Sequence, residues 1–199
     1  MARWQPGSAE RLRNAALELF ETRGFDGVTV AEIAAAAGLT ERTFFRYFAD
    51  KREVLFTDQA RFEQFFLDGL AGDSDASTEL ELVGSTDGVM KLVFAALEGA
   101  AMLFPEERRN WSAMRQRVIN AHPGLQEREL IKLSTLAETM ADVLRQRGVD
   151  TVTATLAAES GVTVFRAAFA IWIAAEEPRG FSEVQHSVFQ QLRTLIAAG

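Results

Sequence analysis

Hydrophobic residues recur at the spacing of an α-helix along almost the whole chain. Near the start, one such stripe occupies positions i, i+3, i+4, i+7 and i+8, and it consists of Leu12, Ala15, Ala16, Leu19 and Phe20. This is the pattern of an amphipathic helix. Sustained apolar–polar alternation with β-branched residues, which indicates strands, does not occur. The sequence therefore predicts an all-α protein of about nine helices, the first three of them short.

Polar residues at the ends of these stripes indicate where helices begin. The capping box, in which two side chains satisfy each other's free backbone N–H groups, is matched by Thr29-x-x-Glu32, Asp50-x-x-Glu53 and Ser182-x-x-Gln185. We expect these boxes to open the second helix, a long fourth helix that runs to about Leu70, and the last helix. Gly38 and Gly148 follow helical segments and predict their ends.

Composition excludes several kinds of protein. The chain has 199 residues, no cysteine and two histidines, so disulfide frameworks, thiolate sites and histidine-rich metal sites are not expected. We expect no cofactor. The longest apolar run, Ala167–Ala175, is about half the length that a membrane span needs. Because a signal peptide is also not apparent, a cytoplasmic protein is expected.

The charge is unevenly distributed. The net charge is −7, which argues against binding of nucleic acid. Residues 1–52, however, hold eight basic and seven acidic residues and carry a net +1, whereas the remainder carries −8. This difference hints that the two parts have different partners.

The segment of residues 28–51, VTVAEIAAAAGLTERTFFRYFADK, predicts a helix-turn-helix. A short helix, a tight turn at Gly38 and a second helix with basic and aromatic residues follow one another. The small residues at 34–37 allow the two helices to approach closely. The alternative is a structural helical hairpin in which the basic residues only face solvent.

Helical geometry predicts which side chains of the third helix face the core and which face solvent. If Phe44 and Phe48 face inward, then at about 100° per residue Arg42 and Arg46 lie nearly opposite the core. The same exposed face carries Thr43, Phe45 and Tyr47. Such a face suits a major groove, because guanidinium groups bind guanine and apolar groups contact thymine methyls. Lys51, at the predicted start of the fourth helix, is a candidate phosphate ligand.

Residues 10–56 resemble the DNA-binding domain of the TetR family of bacterial repressors. The matching residues are Phe20, Gly24, Phe25, Thr29, Val30, Ile33, Ala34, Ala37, Gly38, Leu39, Thr43 to Phe48, Lys51 and Leu55. The resemblance implies a helix-turn-helix domain at residues 1–50 and a ligand-binding and dimerisation domain at residues 51–199. It also implies that the positions that usually touch DNA are Thr29, Thr40, Arg42, Thr43, Phe45, Tyr47 and Lys51. The family usually has tyrosine where this chain has Phe45, so one hydroxyl that could bind phosphate is absent.

The C-terminal part is rich in aromatic residues and methionine. It resembles a sub-branch common in actinobacteria, around Arg117-x₅-Pro123 and residues 129–136, in which some relatives sense acyl-CoA or similar apolar ligands. Candidate pocket residues are Phe94, Trp111, Met114, Met140, Phe165 and Phe169. We expect a flat or long-chain hydrophobic ligand, with Arg115 and Arg117 as candidates to neutralise an anionic head group. The alternative for each residue is ordinary core packing.

The last two long helices are the candidate dimer interface. Their small and apolar residues could be buried within a monomer, or they could pair with a second copy in a four-helix bundle. The residues that we expect there are Ala158, Val162, Val188 and Leu192.

Motifs of catalysis are absent: the chain has no GxSxG, P-loop, HExxH or Gly-rich dinucleotide turn. We therefore expect a protein that is not an enzyme. The hypothesis is a dimeric repressor that binds palindromic double-stranded DNA and is released by a hydrophobic small molecule. The alternatives are an activator without a small ligand, or a helical protein–protein adaptor whose DNA-binding head is vestigial.

Overall fold

The computed structural model describes residues 7–56, 59–71 and 83–197. Within them the chain forms nine α-helices, two short 3₁₀ helices and no strand. The α-helices are α1 (Ser8–Arg23), α2 (Val30–Ala36), α3 (Glu41–Tyr47), α4 (Gln59–Ala71), α5 (Thr86–Ala101), α6 (Arg109–Asn120), α7 (Pro123–Gln146), α8 (Thr151–Trp172) and α9 (Phe181–Ala197). The 3₁₀ helices are Arg52–Leu55 and Glu106–Arg108. The all-α prediction is confirmed.

The described residues form two compact units. The first contains residues 7–56 together with 111–129, and the second contains residues 59–71, 83–110 and 130–197. The first unit is thus not a contiguous segment that ends at residue 50. Val118, Ile119 and Leu125 are buried in its core, which explains why residues distant in sequence belong to it.

The core of the first unit is built from the apolar stripe of α1 and the inner faces of α2 and α3. Leu12, Ile33 and Phe44 have no exposed surface. The 3₁₀ helix adds Val54 and Leu55 to the same cluster. Burial of such side chains contributes about 1.5–3 kcal/mol each, so this packing holds the three short helices together.

The fourth helix differs from its prediction. Asp50 accepts hydrogen bonds from the backbone N–H groups of Arg52 (2.7 Å) and Glu53 (3.0 Å), as a cap does. The segment that it opens is the 3₁₀ helix, however, which ends at Leu55, and α4 begins at Gln59. One long helix from this cap to Leu70 was therefore a wrong prediction.

The second unit has a separate core formed by α4, α5, α8, α9 and part of α7. Trp172, Met140, Leu97 and Leu136 are fully buried in it. Helices α4 and α5 approach closely at Gly69, where an added Cβ would lie 2.5 Å from the Cα of Ala96. Only glycine allows this approach.

Helix α8 is the one helix in the described ranges that alone is long and apolar enough to cross a membrane. Core helices of globular proteins have the same length and composition. The side chains of Ala154, Ala158, Ala168 and Trp172 are fully buried in the second unit, and packing against other helices accounts for the apolar character of α8.

Helix α9 begins one residue earlier than its predicted cap. The Gly180 carbonyl accepts from the Val184 N–H at 3.1 Å, so Ser182 lies inside the helix. Gln185 is only 1% exposed, and its side-chain nitrogen and oxygen have no hydrogen-bond partner among the described residues. The capping box predicted for Ser182 and Gln185 is therefore not formed, because tertiary packing turns Gln185 into the core.

Candidate nucleic-acid interface

The turn between α2 and α3 depends on glycine and small residues. Gly38 has φ of 66°, a conformation that favours glycine. Its N–H donates to the Ala35 carbonyl (3.0 Å), and the Leu39 N–H donates to the Ala34 carbonyl (2.8 Å). The end of α2 is thereby closed and the chain is redirected into α3, as the sequence predicts for a helix-turn-helix.

Helix α3 presents the predicted polar face to solvent. Phe44 is fully buried, whereas Arg42 and Arg46 are exposed and Phe45 is 55% exposed. Arg42 has no hydrogen-bond or ion-pair partner in the part of the chain that the structure describes. Its guanidinium donors are therefore available to an incoming acceptor.

The remaining polar residues of α3 make contacts within the helix. Thr40 caps it by accepting from the Thr43 N–H at 3.2 Å, and the two hydroxyl oxygens lie 3.0 Å apart. Arg46 donates to the Tyr47 hydroxyl at 3.2 Å, with its guanidinium 4.9 Å from the ring centre. Thr43 and Tyr47 are half-buried. These exposed contacts are weak enough to be exchanged for contacts with a ligand.

Thr29 closes the N-terminus of α2 in a full capping box. Its N–H and hydroxyl each donate to a Glu32 carboxylate oxygen at 2.8 Å, and its hydroxyl accepts from the Glu32 N–H at 3.2 Å. Arg23 also pairs with Glu32 at 2.8 Å. The bonds from the Thr29 backbone and hydroxyl, with the Arg23 contact, lower the pKa of Glu32 to about 2. Glu32 therefore stays ionised at neutral pH.

Lys51 has a structural contact that the sequence did not predict. Its ammonium donates to the carbonyls of Phe25 and Val28, both at 2.8 Å, and lies 4.1 Å from the centre of the Phe25 ring. Two of its three donors thus hold the connection between α1 and α2. The prediction that Lys51 lies at the start of the fourth helix was wrong, because α4 begins at Gln59.

Arg115 and Arg117, the candidates for an anionic head group, instead lie in ion pairs of the first unit. Arg115 donates to the Leu55 carbonyl at 2.8 Å and pairs with Glu129 at 3.1 Å. Burial lowers the pKa of the Arg115 guanidinium, and Glu129 opposes this effect. Arg117 pairs with Glu21 at 2.8 Å. Their acidic partners are distant in sequence, so local patterns could not identify the pairs.

The predicted ligand-binding residues are divided between the two units. Trp111 and Met114 pack against the core of the first unit, and the Trp111 indole N–H donates to Asn14 at 3.0 Å. The other four lie in the second unit. Of these, Phe165 and Phe169 stack with ring centres 6.0 Å apart. A single pocket lined by all six within either unit is therefore excluded.

The other two ligand candidates have separate surroundings within the second unit. Phe94 stacks on Phe189, with the ring centres 4.5 Å apart. Met140 is fully buried. Five rings contact the Phe165 ring, and Trp172 contacts three of those five. Together the seven residues are Phe62, Phe66, Phe104, Phe165, Phe169, Trp172 and Phe181. We call these seven residues the aromatic cluster.

The predicted interface residues divide into two pairs. Ala158 is fully buried and Val162 is 5% exposed in the core of the second unit, so they offer no surface to another molecule. This corrects their assignment, because α8 turns these small residues toward its own neighbours. Val188 and Leu192 on α9 are half-buried. The large apolar residues that are exposed on α8 and α9 are Val152, Leu156, Ile171, Leu195 and Ile196.

Residues 12–57 match the family model described as bacterial regulatory proteins, tetR family. The chain is also 28% identical over 142 residues to the HTH-type transcriptional regulator TcmR of Streptomyces glaucescens. That alignment covers 71% of this chain and 61% of TcmR. The chain thus spans less than two thirds of the length of this relative.

Solved structures share the fold across nearly the whole chain. A transcriptional regulator from Rhodococcus sp. Rha1 has a TM-score of 0.53 at 20% identity, covering 96% of this chain and 97% of that one. AibR, solved with isovaleryl coenzyme A and operator DNA, has a TM-score of 0.51 at 14% identity, covering 92% and 97%. The family consists of regulators and not enzymes, in agreement with the absence of catalytic motifs. The helix-turn-helix of residues 12–57 thus matches the tetR family of bacterial regulatory proteins, and the chain shares the fold of solved transcriptional regulators.

Proposed function

We propose that the protein is a ligand-responsive transcriptional repressor that binds palindromic operator DNA in the cytoplasm as a homodimer. The observation that carries the proposal is the exposed face of α3, with Arg42 and Arg46 one helical turn apart and without core contacts. Together with the match of residues 12–57 to the family model, this face supports binding in a major groove. Guanidinium groups at this spacing can reach guanine O6 and N7.

The test is binding to the promoter of the protein's own gene at several salt concentrations. Arg42→Ala should weaken binding by about 1–3 kcal/mol and relax the preference at one base pair, because it removes one base contact. Arg145→Ala is the matched control, since it removes the same charge from the second unit, where Arg145 pairs with Asp142. Equal affinities for wild type and Arg42→Ala would contradict the role of α3.

The adaptor and activator alternatives predict other outcomes of the same experiment. An adaptor with a vestigial head would show no salt-dependent retention on its own promoter. An activator would bind the promoter and raise transcription from it. A repressor should bind and lower transcription in a reconstituted assay.

The aromatic cluster supports the proposal of an apolar effector. Phe104, Phe165, Trp172 and Phe181 lie with ring centres 4.8–5.9 Å apart. Apolar pockets with a few polar groups are usual for small molecules. An effector changes DNA affinity only through its different affinities for the DNA-bound and free states.

Dimerisation is proposed through the solvent-facing sides of α8 and α9. On α8 the large apolar side chains Val152 and Leu156 are 66% and 63% exposed. On α9 Leu195 is 76% exposed, next to the half-buried Leu192. Exposed large apolar side chains of this kind are usual at an interface between copies. A two-fold dimer would place two copies of α3 about one helical turn of DNA or somewhat more apart.

A further inference from the structure

Two buried polar side chains in the second unit have no hydrogen-bond partner among the described residues. Gln185 is 1% exposed, and both Nε2 and Oε1 of its amide are unpaired. Trp172 is fully buried, and its indole Nε1–H is unpaired. Buried polar groups in folded proteins are nearly always paired, since an unpaired group loses its hydration without compensation. The Nε of Arg109 is buried and unpaired as well, although the other nitrogens of its guanidinium are bonded. The side chains of Gln185 and Trp172, in contrast, make no hydrogen bond among the described residues, and their three atoms require an explanation.

The two side chains belong to the same part of the core. Trp172 contacts Phe181 with ring centres 5.4 Å apart. Gln185 follows Phe181 by one turn of α9, a rise of about 6 Å. Phe181, Gln185 and Phe189 thus form one buried stripe of α9. Along this stripe the amide lies between two aromatic residues.

The chemistry of the three atoms defines what would pair with them. The indole N–H and the amide Nε2 donate, and the amide Oε1 accepts. Aromatic rings favour a flat ring in stacked or edge contact.

Charge in the neighbourhood is already neutralised. The guanidinium carbon of Arg109 lies 5.4 Å from the Trp172 ring centre. Arg109 donates to the carbonyls of Glu177 and Arg179 and pairs with Glu106 at 2.9 Å. The neighbouring polar groups therefore favour an uncharged ligand over an anion.

We propose that Gln185 and Trp172 are specificity-determining residues that bind the polar group of an uncharged, flat apolar effector in the second unit. The inference rests on the proposed ligand response and adds the chemistry of the ligand. An effector with a carbonyl oxygen and an N–H or O–H group can accept from the indole N–H or the amide Nε2 and donate to the amide Oε1. A hydrocarbon of the same shape would leave all three atoms unpaired.

The experiment compares three probes of similar shape with the full-length protein. These are 2-naphthamide, 2-methylnaphthalene and 2-naphthoate, and binding is measured from the rise in melting temperature with probe concentration. We expect the wild type to bind 2-naphthamide about tenfold more tightly than 2-methylnaphthalene, the effect of one or two net hydrogen bonds. Equal affinities, or tighter binding of 2-naphthoate, would overturn the proposal.

Variants provide a second readout that needs no probe. Gln185→Leu should raise the melting temperature of the free protein, because it removes unpaired polar atoms, and should abolish the preference for the amide. Trp172→Phe should reduce that preference while keeping an aromatic ring. Gln146→Leu, at an exposed position of α7, is the control and should change neither quantity. A lower melting temperature in Gln185→Leu would show that other partners satisfy the amide and would overturn the proposal.

Two separate measurements distinguish a failure of the proposed function from a failure of this inference. Binding of wild type and Gln185→Leu to promoter DNA, without any probe, tests the regulator alone. If both bind DNA and the amide preference is absent, the ligand chemistry is wrong while the regulator remains. If neither binds DNA but the preference is present, the site remains and the regulatory role is wrong.

Discussion

At the scale of single residues, the contacts of each side chain within the first unit distinguish residues that stabilise this unit from residues that are available to DNA. Arg42 and Phe45 on α3 are exposed, whereas Lys51 is held by two backbone carbonyls and an aromatic ring. All three are positions that usually touch DNA in the family. Their contacts in this structure predict different effects on stability and on DNA binding.

Replacement of Lys51 by methionine should lower the stability of the protein. Lys51→Met removes both bonds from the ammonium group, to Phe25 and Val28, and leaves these carbonyls without that donor. We expect a loss of about 2–3 kcal/mol in the free energy of unfolding, measured by urea denaturation, because bonds from charged donors are strong. The control is Arg52→Met, whose side chain is 51% exposed and pairs with Asp50, and this change should cost much less because exposed ion pairs contribute little to stability. Equal losses in the two variants would mean that the Lys51 contacts stabilise the protein no more than an exposed ion pair does.

Phe45 should affect DNA binding more than folding. The side chain is 55% exposed and contacts the Phe44 ring at a centre distance of 5.5 Å. Phe45→Ala should therefore weaken promoter binding while the melting temperature changes little. Phe45→Tyr should bind as tightly or more tightly, since the added hydroxyl can donate to a phosphate for about 0.5–1.5 kcal/mol. A large loss of stability with unchanged DNA affinity would place Phe45 in the core instead.

At the scale of elements, short helices depend on their ends. Helix α2 has seven residues, too few to be stable without caps and tertiary contacts. Its capping box and the Arg23 contact all converge on the Glu32 carboxylate. The second helix of the DNA-binding motif is thus stabilised by one ionised group.

This arrangement makes part of the stability depend on pH. The pKa of Glu32 in the folded protein is about 2, below the ordinary value of 4.5. Its contribution is therefore fully present above pH 4.5 and is lost as the pH falls through 2. Glu32→Gln should be less stable than wild type at pH 7 in thermal unfolding, and the difference should shrink below pH 4.5 and vanish near pH 2. Glu18→Gln controls for removal of an exposed carboxylate, and a gap that stays constant with pH would contradict the role of Glu32.

At the scale of the whole molecule, the two units have separate cores and different surfaces. The first presents basic and aromatic side chains on α3, and the second presents apolar side chains on α8 and α9. This division fits a protein in which the first unit binds DNA and the second unit binds a second copy of the chain. A substitution in this apolar face tests the proposed dimer directly.

Leu156→Arg should produce a monomer. Because Leu156 is 63% exposed within one chain, the change leaves the protomer folded but places an unpaired charge in the proposed interface, at a cost of several kcal/mol. Light scattering should report half the wild-type mass, and binding to the palindrome should be lost. Glu138→Arg, at an exposed position of α7, should remain dimeric. A monomeric wild type at micromolar concentration would contradict the dimer altogether.

Local patterns predicted most helices and the exposed face of α3. Periodicity depends on one face of each helix being buried, and caps such as Thr29 and Thr40 act within three residues of their own position. The family resemblance of residues 10–56 rests on the same local residues, and the match over residues 12–57 confirms it. These features need no knowledge of distant partners.

The sequence by itself determined the helical class, the helix-turn-helix and the resemblance of that segment to the tetR family, because each depends on neighbours within a few turns. Only the tertiary structure decided that Ala158 faces the core, that Trp111 and Phe165 belong to different units, and that Lys51 holds the chain at Phe25. It also decided the environment of Gln185, whose sequence position after Ser182 had predicted a cap. The physical reason is that a helix leaves several faces available, and packing between residues far apart in sequence selects which of them is buried.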